Sequence, residues 1–160
     1  MAMLAAGGGH SGHADAPTPR VRPVTPFVRT LIDDTARRSL TVRDLLARLA
    51  CTDTIVYVEM TAATDVPVAR TKLVASAPGV RFLRIGINVR LPFVDLAPML
   101  AHELQHAVEI AEHDEVTDDA GMRRLYLQIG RARGADRYET DAAREVEWIV
   151  RGELRRRIGG

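Results

Sequence analysis

An α+β fold is what this chain predicts: a small three-stranded sheet with a hairpin, packed on one central helix and flanked by N-terminal and C-terminal helices. Three observations carry that expectation. Apolar residues recur at the helical spacing of three and four over 28–49 and again over 100–111. Between them stands Thr54-Ile-Val-Tyr-Val-Glu59, a dense β-branched and aromatic run of the kind that forms a strand buried on both faces. Two more strand-like segments, 71–76 and 80–90, flank Ala77-Pro78-Gly79, where proline's fixed φ and glycine's tolerance of positive φ make a turn.

Taken in order, residues 1–26 are crowded with Gly, Ala and Pro and lack periodicity, so they read as a disordered leader with no packed element before Phe27. Its MAMLAA start is too short for a complete secretory signal, and both a remnant of an export signal and a loose cytoplasmic arm fit it. His10 and His13 read as solvated residues of that leader. Val28, Leu31 and Ile32, then Leu40, Val42, Leu45, Leu46 and Leu49, predict two helices, the second capped by Ser39 or Thr41 with Asp44 as the acidic partner. In the second hairpin arm Ile85, Ile87 and Val89 alternate, which sets one face on the core and one toward solvent or a cleft. Pro92 and Pro98 bracket the start of the central helix, with Asp95 as its candidate cap and its end at Glu112. Ala120–Ile129, stopped by Gly130 and Gly134, and Asp136–Ile158 predict two more helices. Residues 27–158 therefore read as one domain.

Composition narrows the function. With 160 residues, 46% hydrophobic and 27% charged, the chain can bury one core. Twenty-two basic and 21 acidic residues leave a net charge of +1, which is not the footprint of a protein that lives on nucleic acid or anionic membrane. Lys72 is the single lysine, so arginine is the default cation and individual arginines carry little functional weight. A single cysteine, Cys51, excludes an intrachain disulfide and a cysteine-only metal site. No apolar run approaches the ~20 residues of a membrane span. The helix pair over 27–50 also has the outline of a helix-turn-helix with Arg37, Arg38, Arg43 and Arg48 as phosphate contacts, a nucleic-acid reading that the near-zero charge opposes.

The chemistry sits in Ala101-His-Glu-Leu-Gln-His-Ala107. Positions i and i+4 of a helix differ by a net ~40° and ~6 Å, so His102 and His106 can present both Nε2 atoms to one zinc ion. Glu103, ~100° round the helix, is free to act as a general base toward a water. On the other side Leu100, Leu104, Ala107, Val108 and Ala111 form the stripe that buries such a helix against a sheet. The alternative is a pair of exposed histidines on an amphipathic helix.

With this HELQH helix following a strand and a hairpin, and helices after it, the chain resembles the zincin metallopeptidases over residues 54–158. That resemblance implies a zinc-dependent hydrolase of peptide or protein substrates, with an edge strand, here Thr71–Ser76, pairing with the extended peptide. It also implies a third ligand. The metzincin branch would place Gly and His where this chain has Glu109 and Glu112. Glu112 lies ~80° from His102 on a straight helix, and Glu109 lies ~10 Å along from it, which suits Glu109 to orienting His106 or an arginine. The gluzincin branch takes a glutamate from a later helix, which points to Glu139, with Glu109 and Glu112 as the alternatives. An acidic residue four positions after the ligand is usual in that branch, but position 143 is Ala, and Glu145 and Glu147 read as a solvated face. For the transition state Tyr126, Arg137, Tyr138 and His113 are eligible, and Tyr138, beside Glu139, is the choice. Three functions follow: a zinc peptidase, which intact Glu103 favours; a zincin-like metal-binding interaction module without turnover; and the nucleic-acid binder.

Overall fold

The computed structural model describes residues 19–66, 68–132 and 138–156. Residues 1–18 with His10 and His13, the stop at Gly134, Arg137 and both ends of the expected last helix lie outside the described residues. Helix α1 (Pro26–Arg38) starts where Thr25 Oγ1 accepts from the Val28 N–H at 3.3 Å, with Pro26 in the first turn, where its missing N–H costs nothing. Ser39 then joins α1 to α2 (Leu40–Ala50): its N–H donates to Thr35 O at 2.8 Å and its Oγ accepts from Val42 N at 3.0 Å. Ser39 is thus the cap, while Thr41 donates to Glu153 Oε1 at 3.1 Å.

Four strands form the main sheet, not three: β1 (Val21–Pro23), β2 (Thr54–Thr61), β3 (Ala69–Ala77) and β4 (Val80–Asn88), in the order β1-β2-β4-β3. Both β1 and β4 run parallel to β2, and β3 is antiparallel to β4. The added strand lies inside the expected leader. Three residues are too few to show a period, and Pro23 reads as a breaker, yet the segment pairs Val21–Pro23 with Val56–Val58 and is held at its ends by Val56 N–H to Arg20 O (2.8 Å) and Val24 N–H to Val58 O (2.9 Å). An edge strand tolerates proline because its outer side makes no ladder. The hairpin is as expected, turning at Gly79 with φ +75°, and β3 is an edge.

Helices cover one face of this sheet. Val56, Val58, Leu73, Leu83, Ile85 and Ile87 share a core with Val28, Val42, Leu45, Leu49, Leu100 and Leu104, whereas Tyr57, Glu59, Lys72 and Arg84 on the other face are exposed or half-buried. At the centre lies α3 (Phe93–Ala111), in which every residue from Leu100 to Ala111 is buried. It begins before the expected start, encloses Pro98 near its N-terminus, and Asp95 takes no capping bond but engages Arg151. Its C-terminal end is held by Arg81 of β4, which is 2% exposed: Nη1 donates to Ile110 O (3.0 Å) and His113 O (2.8 Å), Nη2 to Ala111 O (2.7 Å) and Asp53 Oδ1 (2.6 Å). A cation there adds donors to the carbonyls at the helix end and complements the helix dipole.

Helix α4 (Asp119–Ile129) is capped by Asp118, whose Oδ1 accepts from Gly121 N at 2.7 Å. Beyond it, β5 (Arg131–Ala132) pairs with β6 (Tyr138–Glu139), and α5 (Asp141–Arg156) closes the domain. Glu139 therefore precedes the last helix and does not open it, because Thr140 is the residue whose Oγ1 accepts from the Ala143 N–H at 3.1 Å. No helix among the described residues is long and apolar enough to cross a membrane.

Candidate metal centre

His102 and His106 stand one turn apart on the buried length of α3, their ring centroids 4.9 Å apart and edge to face. Glu139 arrives opposite them on β6, with its Oε1 3.5 Å from His102 Nε2. One donor atom from each of the three lies within 4.8 Å of the other two, a spacing that can hold a metal ion. Two of these atoms are otherwise unused: among the described residues His106 Nε2 and Glu139 Oε1 are buried without a hydrogen-bond partner. Orphaned polar atoms inside a fold cost about 1–3 kcal/mol each, and three nitrogen and oxygen donors facing one another are the donor set zinc takes.

The opposite ring nitrogens face carboxylates. His106 Nδ1 lies 2.9 Å from Glu109 Oε2, and His102 Nδ1 lies 3.3 Å from Glu147 Oε2. The second pair is near enough for an ion pair but off the line of a hydrogen bond, since His102 Nδ1 finds no bonded partner among the described residues. Glu109 is fixed further by Thr140 Oγ1 (2.7 Å) and Gln105 Nε2 (3.3 Å), both donating to Oε1. Burial opposes charge on the His106 ring, yet the bond to Glu109 and the nearby Glu103, Glu109 and Glu139 outweigh it and raise its pKa above the ordinary value. Burial likewise acts to raise the Glu109 carboxyl, and His106, Thr140 and Gln105 overcome it and lower it.

Glu103, 4% exposed, accepts from Thr71 Oγ1 at 2.6 Å through Oε2, and the same hydroxyl lies 3.1 Å from Glu103 O. A cavity of about 270 Å³ opens on the site and is lined by Glu103, the three candidate ligands, residues 68–71 at the start of the edge strand and Tyr138. The Tyr138 ring stacks on Tyr126 at 4.8 Å and 9°. Tyr126 is turned to α3, its hydroxyl 3.4 Å from His106 O and Nδ1, and burial first, then Glu109 and Glu103, keep its phenol protonated by raising its pKa well above the usual value.

Several candidates stand elsewhere. Glu112 forms a two-bond pair with Arg48 (2.9 and 2.9 Å) at the far end of α3 and is not in the cluster. Glu109 occupies the orienting position at His106, and His113 Nδ1 lies 2.7 Å from Glu109 O. Glu147 corrects the reading of a solvated face: positions 143, 147, 150 and 154 form one stripe of α5, with Ala143 and Val150 fully buried, so a carboxylate in that stripe was a visible signal. Thr71 left a fainter one, a lone hydroxyl between Ala69 and Leu73 on the inward side of β3.

Comparison with protein-family models, with curated proteins and with solved structures finds no match in any of the three.

Proposed function

We propose that this chain is a zinc-dependent hydrolase that cleaves peptide bonds, with His102, His106 and Glu139 as the ligands and Glu103 as the base. The single observation that supports it most is the pair of buried donor atoms, His106 Nε2 and Glu139 Oε1, that have no hydrogen-bond partner among the described residues and cluster with His102 Nε2 beside a carboxylate that is not needed as a ligand. Bound there, zinc supplies a Lewis acid that makes a water acidic near neutral pH and polarises a carbonyl. Glu103 takes the proton of the attacking water and hands it to the leaving amine. Thr71 engages one oxygen of that carboxylate and leaves the other for the water. An extended peptide adds to the outer edge of β3, which among the described residues pairs only with β4, and this sets the scissile carbonyl over the cavity. Tyr138, on the cavity wall, is the group assigned here to the developing oxyanion.

A zincin-like metal-binding domain without turnover would keep the same ligands, so the two readings part at Glu103. Against the nucleic-acid reading, three of its four arginines are engaged within the fold, Arg37 by Asp34, Arg38 at Leu154 O (3.1 Å) and Arg48 by Glu112. Cleavage of a peptide library by the wild type, abolished by a chelator and restored by zinc, tests the proposal. Glu103→Gln is expected to lower the rate by about 10²–10⁴-fold while zinc content is kept. Full zinc with no cleavage by the wild type favours the interaction module.

A further inference from the structure

We propose that Glu147 is the positioning carboxylate of His102 and that Arg151 and Asp95 hold it in that role; this rests on the metal reading above. The side chain lies in the α5 stripe turned to α3, between the fully buried Ala143 and Val150, where a carboxylate needs polar partners. It has two. Glu147 Oε2 is 3.3 Å from His102 Nδ1, and Glu147 Oε1 accepts from Arg151 Nη2 at 2.9 Å. The other amino group of Arg151 engages Asp95 in the first turn of α3, so the carboxylate is held from behind by a cation that is itself anchored to the helix carrying the histidines.

Chemistry explains the need. A neutral imidazole offers a lone pair at Nε2 only when its proton is on Nδ1, and an acceptor at Nδ1 selects that form and fixes the ring. His102 Nε2 faces Glu139 Oε1 and its Nδ1 faces Glu147. At His106 the division is the same, with Nδ1 on Glu109 and Nε2 orphaned. The two supports differ in origin. Glu109 is three residues from its histidine, whereas Glu147 comes from another helix, so the aim of His102 depends on how α5 is docked. His102 Nδ1 has no hydrogen-bond partner among the described residues, and the Glu147 carboxylate, 3.3 Å away, is the acceptor that a small turn of the ring would engage.

Zinc dissociation constants, measured on the full chain by competition with a chromophoric chelator, test this, with the unfolding midpoint of the metal-free protein taken alongside. Glu147→Ala is expected to bind zinc about 10–100-fold more weakly with its metal-free midpoint nearly kept. Arg151→Met is expected to lose less, to add little to Glu147→Ala in the double variant, and both are expected to shift the visible absorption of the cobalt-substituted site. Zinc affinity within twofold of wild type in Glu147→Ala, or a loss matched by collapse of the metal-free midpoint, overturns the role. A wild type that binds no zinc removes the metal reading itself, an outcome that the wild-type titration alone reveals.

Discussion

At the scale of single residues, Arg81 is the most heavily bonded polar side chain in the buried part of the described fold. Its guanidinium replaces water at the last carbonyls of α3 and is balanced by Asp53. Arg81→Met removes the guanidinium's bonds to the carbonyls of Ile110, Ala111 and His113 and its pair with Asp53, and chemical denaturation should show a loss on the order of 3 kcal/mol, which Arg81→Lys does not recover because an ammonium lacks the planar fork. The hydrogen bond from Arg81 holds the Asp53 carboxyl below its ordinary pKa against the effect of desolvation. A depressed carboxylate adds stability above its unfolded pKa and loses it as pH falls through the folded value. Asp53→Asn should therefore lower stability at neutral pH, with the gap to wild type closing as pH falls below the usual carboxylate range. Because the Asp53 side chain is 37% exposed, solvent keeps that gap modest. A gap that stays constant with pH contradicts this account of the pair.

At the scale of elements, the site is a junction of α3, β3, β6 and α5, and what the sequence makes legible follows from how local each contribution is. His102, Glu103 and His106 share one helix, so their spacing alone places them on adjacent turns. Glu139 is pointed to only by resemblance, because a donor brought in from a distant segment leaves no period. Thr71, Thr140 and Glu147 act through side chains that meet α3 only once the chain has folded, though Thr140 also carries a readable cap that moves the start of α5 past Glu139. The β5–β6 ladder escapes notice since two residues a side show no alternation, yet it sets Glu139. Gly130, at the end of α4, faces that ladder: a Cβ there would lie 2.8 Å from Glu139 O and 3.1 Å from Thr140 Cγ2. Gly130→Ala must displace this segment, and it is expected to weaken zinc binding by about 10-fold or more, read by chelator competition. Unchanged affinity would mean that Glu139 is not a ligand held by that ladder.

For the whole molecule, the α+β class, the hairpin and the apolar stripe of α3 follow from patterning, and the fourth strand does not, because three residues beside a proline gain their order only from pairing with β2. Helices lie on one face of the sheet, and the buried polar groups gather where α3 meets β3, β6 and α5. Such a concentration of buried carboxylates and imidazoles is costly unless something binds it together. The most direct test of the central claim is zinc content per chain by elemental analysis, on protein purified without an affinity tag, for wild type, His102→Ala, Glu139→Ala and Glu103→Gln. About one zinc in wild type and Glu103→Gln, with loss in His102→Ala and a marked fall in Glu139→Ala, is the predicted result. No bound metal in wild type after incubation with zinc would contradict it, and the histidines of α3 would then be a buried polar pair without a metal.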